Sequence, residues 1–281
     1  MAAYIRPTTL DEALEALGTG PLTILAGGTD HYPARVGRPL DEDILDVSAI
    51  GGLRAIEELD GHWRLGATAT WSDVIEADLP PCFDGLKLAA REVGGVQIQN
   101  AGTVAGNVCN ASPAADGVPP LLTLEAAVEV RSRDGAKDVP LAHFIAGNRR
   151  TVLQPGEMVT ALLVPKPEAP RTASHFLKLG SRRYLVISIV MAAAAAEIAE
   201  NGTIVRARVA VGACSEVAQR LPALEDALAE STFDAGLGEV AEAAHLASLD
   251  PIDDVRGSTD YRRDAALTLV RRTLDELAAG T

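Results

Sequence analysis

A short apolar segment that runs directly into two consecutive glycines constrains this chain more than any other feature. Residues 22–26 predict a buried strand, and Gly27-Gly28-Thr29-Asp30 follow it without a spacer. Paired glycines let a backbone turn sharply and bring its N–H groups close to a ligand. Successive N–H groups that point into one concavity bind phosphate. Taken alone, however, the segment is better explained as an ordinary tight turn.

The two best-known nucleotide-binding loops are absent from the sequence. The turn lacks the Gly-x-Gly-x-x-Gly spacing, and Gly-Lys-Ser/Thr occurs nowhere. Thr29 adds a hydroxyl donor, whereas Asp30 is expected to organise the turn, because a carboxylate would repel a diphosphate. Nucleotide binding therefore requires another arrangement.

A second Gly-rich segment begins about 75 residues later and runs from Asn100 to Asp116. Gly102 and Gly106 permit close backbone approach, and Asp116 can accept from both hydroxyls of a ribose. Further hydrogen-bonding side chains are those of Thr103, Asn107, Asn110 and Ser112. A purely structural loop does not need so many polar groups, so this segment is interpreted as a ligand-binding site.

Composition excludes several classes of function. The chain has 39 acidic and 25 basic residues and a net charge of −14, which disfavours binding to nucleic acid or anionic lipid. The most apolar stretch, 185–196, is too short to span a bilayer. No signal sequence is recognisable, so no membrane insertion and a cytoplasmic location are expected.

The three cysteines, Cys82, Cys109 and Cys214, are too widely spaced for a zinc site, an iron–sulfur cluster or a disulfide framework. They are predicted to be buried or half-buried free thiols. The five histidines are equally scattered, and no metal ligand is assigned to this chain.

The first 165 residues predict mixed helices and strands. Thr9 and Glu12 match a capping box that starts a helix, and Gly18 is a plausible end for it. Strands are predicted at 44–47, 63–69, around 128–130 and before 165, and helices from about 72 and over 86–93. Residues 94–120 lack periodicity and are predicted to form a long irregular loop, followed by a short helix around 121–124.

The remainder predicts a separate α+β unit after a linker at 165–170, which contains three prolines. Strands are predicted at 174–179, 186–197 and 203–211, although the alanine run within 192–196 favours a helix by composition. Asn201-Gly202 is predicted to supply the positive φ angles of a hairpin turn. The last helix is predicted to bury a face formed by Leu267, Val270, Leu274 and Leu277.

Together, the two Gly-rich segments closely resemble the FAD-binding (medium) subunit of the xanthine dehydrogenase and carbon monoxide dehydrogenase family of molybdenum hydroxylases. The resemblance is carried by the sequences at 26–30, 97–107 and 110–116, extends over the whole chain, and includes Lys178-Leu-Gly-Ser-Arg-Arg183. It implies an α+β fold, with a vanillyl-alcohol-oxidase (PCMH) type FAD domain at 1–168, split near residue 55. A C-terminal domain of the carbon monoxide dehydrogenase flavoprotein type would occupy 171–281.

The resemblance also implies which residues bind FAD. The segments 25–30 and 103–107 would hold the diphosphate through backbone N–H groups, and Asp116 would bind the ribose or adenine side. Lys178 would lie near the flavin, where a cation stabilises the anionic reduced ring; the alternative is a solvated lysine on a strand. Ala105 stands where the family often has glycine. The implied cofactor-binding residues are Leu25, Ala26, Gly27, Gly28, Thr29, Asp30, Thr103, Val104, Ala105, Gly106, Asn107, Asp116 and Lys178.

By the same resemblance, the chain would be an oxidoreductase subunit that relays electrons and has no catalytic residue of its own. Its partners would be a small subunit with two [2Fe–2S] clusters and a large subunit with the molybdenum cofactor and the substrate pocket. The complex would be a heterotrimer or a dimer of heterotrimers. FAD would pass electrons to an external acceptor such as NAD⁺, O₂ or a quinone-linked carrier. Two alternatives stay open: a stand-alone PCMH-type flavin oxidoreductase, and an assembly subunit that no longer holds flavin.

Overall fold

The computed structural model describes residues 2–37 and 41–280. The chain begins with a small parallel sheet of order β1-β3-β2, covered by one helix. Its elements are β1 (Tyr4–Ile5), α1 (Leu10–Leu17), β2 (Thr23–Leu25) and β3 (Ile44–Asp46). The capping box is confirmed, because the Thr9 side chain accepts from the N–H of Glu12 and Glu12 accepts from the N–H of Thr9. The predicted helix and both strands are present.

A five-stranded antiparallel sheet with helices packed against it forms the next part. Its elements are β4 (Ile56–Glu58), β5 (His62–Gly66), α2 (Trp71–Glu76), α3 (Asp84–Glu92), α4 (Val96–Ala101), α5 (Val104–Asn110), α6 (Val118–Thr123), β6 (Ala127–Ser132), β7 (Gly135–Pro140), α7 (Leu141–Phe144), β8 (Ile145–Gly147), β9 (Arg150–Thr151) and β10 (Met158–Pro165). The strand order is β4-β5-β10-β6-β7, with β8 and β9 as a separate hairpin. Val128 and Val130 point into the core, as predicted.

The prediction of a long irregular loop at 94–120 is wrong, because this stretch contains α4, α5 and the start of α6. The first two helices have only six and seven residues, too few for an apolar stripe to repeat. The α4 helix buries none of its residues, whereas every residue of α6 is buried. Neither pattern shows the one-sided periodicity by which a surface helix is recognised.

The C-terminal part is an antiparallel sheet of order β11-β12-β13-β14 with a long helix on one face. Its elements are β11 (Arg171–Leu179), β12 (Val190–Ile198), β13 (Ile204–Gly212), β14 (Gln219–Arg220), α8 (Pro222–Leu228) and α9 (Thr259–Ala279). All nine residues of β12 are buried: Ala192, Ala194 and Ala196 face α9, while Met191 and Ala193 pack towards α3. Burial on both faces explains why the alanine run is a strand.

Two predicted details of this part are wrong, and one is confirmed. The strand expected from 186 begins at Val190, because residues 185–187 line a cleft instead. At the hairpin turn only Gly202 has a positive φ, of 83°, so the asparagine does not share that conformation. On α9 the predicted face is confirmed, because Val270, Leu274 and Leu277 are buried and the half-buried Leu267 packs against the same cluster. The α+β class is confirmed.

Buried polar contacts connect the C-terminal sheet to the rest of the chain. The hydroxyl of Ser174 accepts from the N–H of Gly85 at 2.8 Å and donates to the carbonyl of Pro81 at 2.9 Å. Farther along the interface, Arg208 donates to Glu197 on its own sheet and to Glu125 of the preceding part, at 2.9 and 2.7 Å. These contacts fix how β11 approaches the helices of the first part.

Within the described ranges, no helix is long and apolar enough to cross a membrane.

Candidate functional site

A cleft of about 1020 Å³ lies where the small parallel sheet, the helices α4 and α5 and the β11–β12 connection meet. Twelve of the thirteen predicted cofactor-binding residues line this cleft. The exception is Val104, which is 1% exposed and belongs to the hydrophobic core. The two Gly-rich segments therefore converge on one site, although about 75 residues separate them.

The first Gly-rich segment leaves backbone donors unpaired beside the cleft. The N–H groups of Gly27, Gly28 and Thr29 donate to no acceptor among residues 2–37 and 41–280. Gly28 has a φ of 66°, a conformation that glycine adopts most readily. The three residues are half-buried beside the cleft, so their successive N–H groups are available to the acceptors of a ligand.

The second segment is held against the turn between β5 and α2 and against the first residue of α2. The N–H of Trp71 donates to the carbonyl of Gly102, and the N–H of Val104 donates to that of Ala69. Thr103 caps α5 through its hydroxyl, which accepts from the N–H of Gly106 at 2.9 Å. Ala105 lies inside α5 without a positive φ, so the methyl group at this position is tolerated.

Several polar side chains of this segment have partners within the protein. Asn107 accepts from the N–H of Gly117 at 3.3 Å, and Ser112 accepts from the N–H of Ala114 at 3.3 Å. The sequence alone suggested that these groups were available for a ligand. Their observed role is to shape the segment.

A buried ion pair joins the second segment to the C-terminal sheet at the cleft. The ammonium group of Lys178 lies 2.6 Å from Oδ2 of Asp116, and the hydroxyl of Ser188 donates to Oδ1 at 2.5 Å. Both charged side chains are less than 10% exposed. Burial raises the pKa of Asp116 above its usual range, and the adjacent Lys178 counteracts part of this rise. The alternative of a solvated Lys178 is wrong.

At another edge of the cleft, Asp30 forms an ion pair with Arg149. Nη1 of Arg149 donates to Oδ2 of Asp30 at 2.6 Å and also to Oδ1 of Asn110. The expectation that the carboxylate of Asp30 organises its own turn is therefore wrong. The main-chain carbonyl of Asp30 contributes to the turn instead, by accepting from the N–H of Ala34.

Sequence comparison gives two family matches that together cover most of the chain. Residues 1–167 match the FAD binding domain in molybdopterin dehydrogenase, and residues 175–277 match the CO dehydrogenase flavoprotein C-terminal domain. The chain belongs to this family. The predicted relationship, and with it an FAD-binding oxidoreductase subunit, is confirmed.

Individual relatives extend the similarity over nearly the full length. The chain is 31% identical to the 6-hydroxypseudooxynicotine dehydrogenase complex subunit alpha of Paenarthrobacter nicotinovorans, covering 96% of this chain and 92% of that one. It is 28% identical to the putative xanthine dehydrogenase FAD-binding subunit of Escherichia coli K12, covering 99% and 96%. A chain of the carbon monoxide dehydrogenase of Hydrogenophaga pseudoflava superimposes with a TM-score of 0.89 at 27% identity, covering 99% and 97%.

The cleft of this family member has the size and the donors that FAD requires. Its volume is at the upper end of the roughly 300–1,000 Å³ typical of small-molecule sites, as a dinucleotide needs. The three unpaired N–H groups at 27–29 suit a diphosphate. Val93, Ile98, Leu153 and Val159 add an apolar lining. Within the described part of the chain, no group of three or more potential metal ligands comes together.

Three residues of the site were missed at the level of sequence. Trp71 is 1% exposed and packs beneath Gly117 and Gly102. Arg149 has no motif around it. Ser188 gave a usable signal, because a hydroxyl that interrupts a buried apolar run needs a partner, and that partner is Asp116.

We predict that the three thiols of the folded protein resist alkylation. Burial raises the pKa of Cys82 and of Cys214 to about 11 and that of Cys109 to about 12. At pH 8, about one thiol in a thousand at Cys82 and Cys214, and about one in ten thousand at Cys109, is then a reactive thiolate. Mass spectrometry after iodoacetamide treatment should show no adduct on the native chain and three adducts after unfolding in urea. Cys109 is half-buried beside the cleft, so its rapid labelling in the native chain would contradict the raised pKa of its thiol.

Proposed function

We propose that this chain is the FAD-binding electron-transfer subunit of a molybdenum-containing hydroxylase or dehydrogenase complex. The observation that carries the proposal is the convergence of both Gly-rich segments on one cleft, with three consecutive unpaired N–H groups on one side and the buried Lys178–Asp116 pair on the other. FAD, when bound, supplies two-electron storage with one-electron transfer. The protein binds and orients it.

In this proposal, residues 25–30 and 103–107 hold the diphosphate. Asp116 and Lys178 act together on one part of the cofactor, because their charged atoms lie 2.6 Å apart. That distance revises the expectation that Asp116 binds the ribose or adenine side while Lys178 lies near the flavin. With both carboxylate oxygens already engaged, Asp116 positions the ammonium group of Lys178, and Lys178 makes the contact with the cofactor.

Electrons would arrive from [2Fe–2S] clusters of a small subunit, and a large subunit with the molybdenum cofactor would oxidise the substrate. The relatives support this arrangement, since one is a subunit of a dehydrogenase complex and one is a xanthine dehydrogenase FAD-binding subunit. The proposal includes a heterotrimer or a dimer of heterotrimers, a cytoplasmic location, and FAD and C-terminal domains at 1–168 and 171–281.

Affinity purification of the tagged full-length chain from the cells that produce it tests this function. FAD, molybdenum and iron should co-purify with two further polypeptides, and substrate should bleach the flavin only in the complex. A chain that contains no flavin and takes up no added FAD would refute the proposal. A chain that purifies alone and oxidises a substrate with FAD would instead establish the stand-alone oxidoreductase.

We predict that Asp116→Ala lowers FAD retention by at least about tenfold, because it removes the anionic partner of Lys178 and opens a polar void at the cleft. Fluorescence titration of the cofactor-depleted chain with FAD measures the loss. Asp138→Ala, on the exposed strand β7, is the matched control and should bind FAD like the wild type. Equal affinity in both variants would exclude Asp116 from the site.

A further inference from the structure

Arg149 holds an unusual backbone conformation at the edge of the cleft. It lies between β8 and β9 with a φ of 57°, and its N–H donates at 2.8 Å to the carbonyl of Ala111, whose φ is 48°. Left-handed backbone costs a residue with a side chain about 1–2 kcal/mol, and such residues concentrate at binding sites. The conformation brings the guanidinium group of Arg149 between the two Gly-rich segments.

The guanidinium group uses only one of its three nitrogens on the protein. Nη1 contacts both Asp30 and Asn110, whereas Nε and Nη2 donate to no acceptor among residues 2–37 and 41–280. The side chain is 50% exposed. An arginine with a free Nε–Nη2 edge presents two parallel donors, the geometry that matches two oxygens of a phosphate.

The other two cations that line the cleft are more fully engaged. Lys178 is bound to Asp116 and contacts the carbonyl of Glu92. Arg35 donates to the carbonyl of His31 and pairs through Nε with Glu42. Among the three, Arg149 is therefore the one cation whose Nε and Nη2 are both unpaired within residues 2–37 and 41–280, which leaves a complete guanidinium edge for a phosphate group in the cleft.

We propose that Arg149 binds the diphosphate of the flavin dinucleotide, with Nε and Nη2 donating to phosphate oxygens. Nη1 remains on Asp30 and offsets a carboxylate that would otherwise repel the diphosphate. The inference rests on the proposed function, since it requires FAD in this cleft. In this assignment the diphosphate binds both the backbone N–H groups at 27–29 and one positively charged side chain.

A comparison of ligands with and without phosphate tests the assignment. Full-length wild type, R149Q, R149K and R150Q are depleted of cofactor and titrated with FAD and with riboflavin. R150Q is the matched control, because Arg150 is the adjacent residue, is 67% exposed and lies outside the cleft lining. We expect R149Q to bind FAD about tenfold to a hundredfold more weakly, with riboflavin affinity unchanged. R149K should lie between, and R150Q should match the wild type.

The outcomes separate the two proposals. Failure of the wild type to bind FAD refutes the proposed function itself. If the wild type binds FAD and R149Q binds it equally well, or loses riboflavin to the same extent, Arg149 is no diphosphate ligand. A third result also overturns the assignment. If R149Q binds FAD normally but its FAD-loaded form binds NADH more weakly, Arg149 contacts the phosphates of an external dinucleotide and not those of FAD.

Discussion

Gly27→Ala should abolish detectable FAD binding and lower the melting temperature of the chain. A Cβ at this position would overlap the carbonyl oxygen of Ala101 and come within 2.7 Å of its carbonyl carbon and 2.9 Å of Gly102 Cα. Because these are backbone atoms, the two Gly-rich segments must separate. Overpacking of this kind costs about 1–3 kcal/mol, and the separation also removes the shared binding surface. Thermal denaturation and FAD titration measure the two effects.

Gly20→Ala is the appropriate control for this change, because no atom lies within 4 Å of the added methyl group and the residue has no positive φ. It should differ from the wild type by less than about 0.5 kcal/mol and should bind FAD normally. If Gly27→Ala kept both its stability and its affinity, the close approach of the two segments would be unnecessary for the site.

Lys178→Met is expected to destabilise the cofactor-free chain by about 3–5 kcal/mol, because it leaves the buried carboxylate of Asp116 without its counter-charge. Lys137→Met removes a cation that is 48% exposed in its pair with the half-buried Glu157 and should cost no more than about 1 kcal/mol. Urea denaturation of both variants provides the comparison. A similar small loss in both would show that the Lys178–Asp116 pair contributes little to stability.

The deficit of Lys178→Met should grow as pH rises. Asp116 already has a pKa above its ordinary value of 3.8 in the folded chain, and loss of the lysine raises this pKa further. A carboxyl group whose pKa is higher in the folded than in the unfolded chain is protonated in the folded chain at low pH. The folded chain loses stability as pH rises from the unfolded pKa through the folded pKa. The gap in unfolding free energy between variant and wild type should therefore be larger at pH 8 than at pH 5. Adding Asp116→Asn to Lys178→Met should reduce this gap in unfolding free energy, because no buried carboxylate then remains.

The sequence predicted twelve residues that line the cleft because the relevant information is local. A strand that ends in Gly27-Gly28 and a capped segment that begins at Thr103 can each be read within a few residues. The pairing of Lys178 with Asp116 could not be read in this way, because 62 residues separate them and the docking of β11 brings them together. The same holds for Arg149, whose contacts depend on a turn that no motif marks.

Much of the fold was predictable for a similar reason. The capping box of α1 and the alternation of β6 are local patterns, and they predicted these elements correctly. The helices α4 and α5 were missed because they complete too few turns for their burial to repeat. Residues 186–187 at the end of the cleft were assigned to a strand because apolar residues that line a cleft look like core residues in the sequence.

The doubly buried alanine strand β12 has a consequence for how the chain comes apart. One face of this strand is covered by α9, and the other face is covered by α3 of the preceding part. Neither half can open without exposing this strand to water. In hydrogen–deuterium exchange, the amides of β12 should report the same opening free energy whichever half is destabilised, and the two halves should melt in a single cooperative transition.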